Sequence, residues 1–317
     1  MWLGLPMKDP LATEPARSKP LQALATVALT GGLVAWALYS VDRAQVAELL
    51  VQVKWPWFLA AVLLGPVQIS LSAWRWHRVS ERLELPLPMS VALPELYFAT
   101  LINQIMPSGV AGDGVRVFRH GRRSDSMRQA LHAAMVERFS GHLLLCALCC
   151  ILALSLWAIA PVGMLPAVAV ISGGALVALI APAKLPAIGP FAKDAREALL
   201  RKDSLGVWGV SALLLATFVA GLALCVLALG LPLSLSLLRG LPLLLLAMSV
   251  PLSLGGWGLR EVTATLLLPS LGLPEEAALA VSITYGLSVL AGALPGALVP
   301  LLRLRAAPEP AWPLEAE

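Results

Sequence analysis

Eight apolar stretches, two of which run into the same glycine-rich element, restrict this chain to folds that live in a bilayer. Six of them, Leu21–Ser40, Trp55–Trp74, Ala130–Trp157, Leu165–Pro182, Val207–Gly230 and Ala277–Leu302, come close to or exceed the roughly 20 residues that cross a hydrocarbon core. The other two, Met89–Met106 and Leu237–Leu254, lead straight into "PSGVAGDGVRVF" and "PLSLGGWGLREV". Charged residues make up 13% of the 317, against about 25% in a soluble domain, too few to cover a water-facing surface. The net charge of +4 comes from basic residues in the gaps between apolar runs. There they report orientation, and nucleic acid is not expected as a partner.

The two glycine-rich elements share one plan, set 144 residues apart from Pro107 to Pro251. Each reads Pro, three residues, Ala or Gly, Gly, one residue, Gly, Val or Leu, Arg. The first spans 107–118 and holds Pro107, Gly109, Gly112 and Gly114; the second spans 251–262 and holds Pro251, Gly255, Gly256 and Gly258. Proline stops a helix and glycine lets the chain turn back. Irregular backbone at membrane depth is tolerated only where it is buried in protein or lines a polar cavity.

Basic residues orient the spans. With a cytoplasmic N-terminus, six crossings, and two runs that dip in and return, 18 of the 23 Lys and Arg fall inside, Arg75, Arg78 and Arg82 among them in the loop after Trp74. Full crossing of Met89–Met106 would instead put the five arginines from Arg116 to Arg128 outside, against the excess of basic residues in cytoplasmic loops. The expectation is an all-α polytopic membrane protein with six full spans plus two re-entrant helical hairpins; eight full spans is the alternative. Residues 1–20 and 303–317 read as cytoplasmic tails around one membrane domain, 21–302. Three crossings separate the hairpins, so they enter from opposite sides. That is the pattern of an inverted-repeat transporter whose site lies near the midplane.

Polar residues in and near the elements are the candidate site. Arg116 and Arg260 sit nine residues after their prolines. Either they face the cavity and hold an anionic headgroup through the guanidinium fork, or Arg116 joins the cytoplasmic basic loop and Arg260 pairs with Glu261. Asp113 orients Arg116 or caps the following helix. Glu137 and Arg138 lie early in the span Ala130–Trp157, where charge is expensive and calls for a partner or a wet route. Asn103 and Gln104, one turn before Pro107, line the cavity or bond between helices. No metal-ligand spacing and no GxxxxGK[ST] phosphate loop occurs, so neither metal nor nucleotide cofactor is expected.

The segments "NQIMPSGVAGDGVRVF", "VERFSG" and "SVPLSLGGWGLRE" together resemble the lysylphosphatidylglycerol synthase transmembrane, or flippase-like, family over nearly the whole chain. The resemblance implies a multi-pass protein of the bacterial inner membrane that moves a lipid between leaflets, its partners being anionic or polyprenyl-linked lipids. It carries the family's elements onto Pro107, Gly109, Gly112, Asp113 and Arg116, onto Glu137 and Arg138, and onto Pro251, Gly255, Gly256, Arg260 and Glu261. Family members that aminoacylate lipid have a further soluble domain; here the chain stops at "LLRLRAAPEPAWPLEAE", so enzymatic synthesis is not expected. Two competing readings stand beside the flippase: an intramembrane lipid-linked transferase, and a non-transporting partner of a lipid-biosynthesis enzyme. A homo-oligomer is compatible with each.

Overall fold

The structure, a computed structural model, describes residues 18–106, 109–156, 189–201, 204–249 and 256–300. Eleven α-helices are named here: α1 (Ser18–Tyr39), α2 (Arg43–Val51), α3 (Trp55–Arg82), α4 (Met89–Ile105), α5 (Ala111–Arg123), α6 (Met127–Leu156), α7 (Gly189–Leu200), α8 (Leu205–Ala228), α9 (Leu235–Met248), α10 (Leu259–Leu267) and α11 (Glu275–Ala293). Among the described residues there is no strand, as an apolar chain that must satisfy its own backbone in lipid requires.

Among the described residues four helices are long and apolar enough to cross a membrane: α3, α6, α8, and α11 carried on through a 3₁₀ turn at Leu294–Ala297 to Pro300. Leu24–Tyr39 and α2 pass the same test together but are bent by 94°. Five of the six expected spans therefore have a helical counterpart, the first of them as a bent pair. The expected span Leu165–Pro182, most of both tails, Pro107, Pro251 and Gly255 lie outside the described residues.

α3 and α8 form the central seam and run antiparallel along their whole length. The Lys54 amide donates to the Ala228 carbonyl at 2.7 Å, Gln68 to the Thr217 carbonyl at 3.2 Å, and Arg75 to Ser211 at 3.1 Å. The helices that follow repeat one arrangement on each side of this seam. α4 and α5 pack as a hairpin against α3 and α6, and α9 and α10 pack as a hairpin against α8 and α11. α3 touches α11, and α8 touches α6; α2 lies on α11, and α7 on α6. Exchanging α2–α6 for α7–α11 thus maps each of these contacts onto another of them. Because the matched helices α3 and α8 are antiparallel, the two halves are related by inversion.

In the first hairpin, α5 returns along α4. Arg119 and Arg123 reach back to Glu95 at 3.1 and 3.4 Å. Gly112 lies so close to α4 that a Cβ there would stand 2.0 Å from the Ala99 carbonyl oxygen. The first break is narrower than the sequence element: α5 begins at Ala111, so Gly112 and Gly114 are helical, and the turn rests on Gly109 with φ +61°. In the second, Gly256 and Gly258 both have φ +85°, a conformation open to glycine, and Gly258 caps α10. The first helix of each hairpin carries one internal proline, Pro94 in α4 and Pro242 in α9.

Close packing uses glycine where helices cross. A Cβ on Gly65 of α3 would stand 2.9 Å from the Cα of Gly292 in α11, the near-backbone approach that small residues permit in membranes.

Candidate functional site

Both breaks open onto one cavity of about 340 Å³. Gly109 and Val110 line it from the first hairpin, Ser249 and Gly256 from the second. One part of the wall is apolar, with Leu214, Phe218, Leu245 and Met248; another carries Asn103, Gln104, Asp113, Arg116, Glu137 and Arg138. Six of the eight polar residues singled out from sequence therefore meet there.

Arg75 and Ser211, which sequence reasoning missed, line the same wall. Arg75 was expected in a cytoplasmic loop, beyond the span Trp55–Trp74. The helix does not stop at Trp74 but continues to Arg82, since nothing between Trp74 and Arg82 breaks it, and so Arg75 stays buried inside the bundle. A continuous helical register through "SAWRWHRVSER" was the available signal.

Burial forces these charges to find each other. Glu137 accepts from Arg75 Nε at 3.0 Å on one oxygen and from Arg116 Nη2 at 2.9 Å on the other. Arg116 Nε donates to Asp113 at 2.8 Å, and Arg138 pairs with the second oxygen of Asp113. Asn103 fixes Asp113 from α4, donating to it at 3.0 Å while accepting the Gly112 amide at 2.7 Å. The result is a chain of alternating sign, Arg75–Glu137–Arg116–Asp113–Arg138. Its members come from α3, α5 and α6, and Ser211 of α8 holds its inner end.

The guanidinium groups are also shaped by carbon. Arg116 lies over the Trp76 ring at 4.5 Å, within the range of cation–π attraction. Arg75 fits beside α6 because Gly141 has no side chain: a Cβ there would stand 2.9 Å from Arg75 Nη1.

Arg260 and Glu261 are not part of the cavity wall. Arg260 is buried and donates to Glu261 at 2.7 Å and to Ser282 at 2.9 Å. It stacks on Trp257 at 4.8 Å and on Tyr285 at 5.7 Å, and Tyr285 itself lines the cavity. Glu261 accepts the Gly258 amide at 2.6 Å, closing the start of α10. The matched arginines differ because they do not share a place in their helices. Arg116 is five residues after Ala111, whereas Arg260 directly follows Leu259. Four residues are one turn, about 6 Å along the axis, which is enough to put one guanidinium at the cavity and the other behind its wall.

Among the described residues no group of three or more His, Cys, Asp or Glu is placed to hold a metal ion. Cys146, Cys149 and Cys225 are buried, and no disulfide joins them.

No curated protein and no solved structure matches the chain significantly. Residues 23–296 match the family described as the lysylphosphatidylglycerol synthase TM region. The match covers both hairpins, the seam and every wall of the cavity, and the chain belongs to that lipid-related membrane family.

Proposed function

We propose that this chain is a lipid transporter of the bacterial inner membrane, moving an anionic or polyprenyl-linked lipid between leaflets. The observation that carries the reading is the cavity shared by the two breaks, largely apolar but with a polar wall that includes Asn103, Gln104, Asp113, Arg116, Glu137 and Arg138. An amphipathic lumen of this kind suits a headgroup whose acyl chains stay among the helices. In this reading the hairpins α4–α5 and α9–α10 are re-entrant dips from opposite faces, both tails are cytoplasmic, and one half rocks against the other along the α3–α8 seam. Arg260 and Glu261 then serve the second hairpin from behind Tyr285. The cavity performs no bond-breaking step.

Reconstitution tests this. Proteoliposomes holding the full chain and acyl-labelled phospholipid should lose outer-leaflet label faster than protein-free vesicles for at least one anionic or polyprenyl lipid. Equal rates across both lipid classes contradict the proposal. Association with a lipid-biosynthesis enzyme that survives Arg116→Ala and Arg138→Ala, without transport, would favour a partner role.

A further inference from the structure

One titratable side chain on the cavity wall takes no part in the ion chain. His142 of α6 lines the cavity one turn beyond Arg138. Its Nδ1 lies 2.8 Å from the Arg138 carbonyl oxygen. A carbonyl oxygen only accepts, so in the neutral ring Nδ1 carries the hydrogen and Nε2 keeps its lone pair. That bond is the ring's single hydrogen bond among the described residues. Nε2 is therefore a free base on the wall of the cavity.

The cavity's other groups are poorly placed to exchange a proton. Glu137 is held by Arg75 and Arg116, and Asp113 by Arg116 and Arg138. Neither carboxylate takes up a proton without giving up two ion pairs. Tyr285, from α11, is buried, and a phenol titrates far above neutral pH. Imidazole is the side chain whose ordinary titration falls between pH 5 and 8, and no other His and no Cys among the described residues lines the cavity. The charges facing the ring decide when it takes a proton. Arg75 of α3 and Arg138 of α6 oppose an imidazolium, and Glu137 of α6 favours one. α5 brings Asp113 and Arg116, a pair of opposite sign, while α4, α8 and α9 bring only neutral side chains. An anion in the cavity offsets the two opposing cations. Arg138 keeps 43% of its side chain exposed, so the polar wall is open on that side.

We infer that His142 is a proton-binding site coupled to occupancy of the cavity, so that an anion and a proton cross together. A proton passes from water to the Nε2 lone pair when the anion enters and returns to water when it leaves. This rests on the lipid-transport reading and supplies it with a driving force, the proton gradient. The charges balance: a neutral imidazole becomes a cation as one negative charge arrives, and the loaded cavity has the net charge of the empty one. Coupling of this kind is reciprocal. Acid tightens anion binding, and the bound anion raises the ring's affinity for the proton.

Proton uptake is the test, followed with a pH indicator in a weakly buffered detergent solution of the purified full chain. The probe is a short-chain phosphatidylglycerol. Its phosphodiester stays ionised near neutral pH, so a proton that disappears has gone to the protein. Adding the lipid to wild type should take up as much as one proton per chain. The apparent Kd should fall as pH falls, by at most about tenfold per unit, the limit for one linked proton. His142→Asn keeps a side-chain donor for the Arg138 carbonyl but removes the titratable nitrogen. It should abolish proton uptake and flatten the pH dependence. His132→Gln, which removes an imidazole paired with Asp194 away from the cavity, is the control and should take up protons as wild type does. No uptake by wild type, or uptake that survives in His142→Asn, would overturn the assignment. Wild type alone gives a second measurement, which holds even if the variant does not fold. In vesicles of phosphatidylcholine and labelled phosphatidylglycerol, an acid exterior should drive label to the inner leaflet and the reversed gradient should drive it back. Lipid movement indifferent to both gradients would overturn the coupling and leave the transport reading intact. Proton uptake with no lipid movement would contradict that reading and leave the proton site standing.

Discussion

Arg75 and Ser211 join the two inverted halves at 3.1 Å across the α3–α8 seam. The contact sits at the inner end of the ion chain, and Ser211 also bonds Ser140 of α6 at 3.2 Å. One small hydroxyl thus ties the second half to α3 and α6, two of the three helices that carry the first half's charges. Relative motion of the halves has to break or remake it.

Ser211→Ala should lower stability by about 1 kcal/mol, the net worth of an ordinary hydrogen bond, with lipid binding retained. The more informative readout is transport: a seam with a missing bolt alters the rate of lipid movement at unchanged affinity. Thermal unfolding in detergent, lipid titration and vesicle assay on one preparation check this. A drop in affinity equal to the drop in rate would contradict it.

Glu137→Gln should be among the most damaging single changes in the chain. It leaves Arg75 and Arg116 buried with too little negative charge, a loss of roughly 3–5 kcal/mol for a broken buried pair. Glu137→Gln combined with Arg75→Gln restores the charge count and should destabilise less than the sum of the single changes. Additive effects in a double-mutant cycle would show that the two residues are not coupled.

Gly286→Ala probes the cluster behind the cavity wall. Its Cβ would stand 2.3 Å from Arg260 Nη2 and 2.8 Å from the Trp257 ring, and such overpacking costs roughly 1–3 kcal/mol. Gly31→Ala on α1, where nothing lies within 4 Å, is the control and should be neutral or slightly stabilising, since alanine favours helix. Equal melting temperatures for the two variants would contradict the packing described for Arg260.

Much of the architecture could be read from the residues. Apolar runs gave the long helices, and the two glycine-rich elements marked where the hairpins break, because positive-φ glycines such as Gly109 and Gly256 act locally. Sorting basic residues led to the expectation of opposed halves, but only by counting as a crossing Leu165–Pro182, which lies outside the described residues; the antiparallel pairing of α3 with α8 is read from their contacts. Other features were hidden by their physics. Helix ends inside a polar–apolar transition leave little trace, so Arg75 was assigned to a loop when α3 in fact runs on to Arg82. The matching motifs around Arg116 and Arg260 suggested equal roles. Helix registry decides otherwise, since α5 and α10 begin at different points within the motif. Charge sharing among five residues on three helices depends on packing that spacing alone cannot encode.

A phospholipid with a photoactivatable group in its headgroup offers the most direct test of the central claim, that both breaks face one headgroup cavity. After irradiation in vesicles, digestion and mass spectrometry should place adducts on the first hairpin near Asn103–Val110, on α6 near Arg138–His142 and on the second hairpin near Leu245–Gly256. Arg138→Gln should deplete all three sites together. Adducts confined to one hairpin, or to exposed faces such as Leu59, Leu63 and Leu213, would contradict the account.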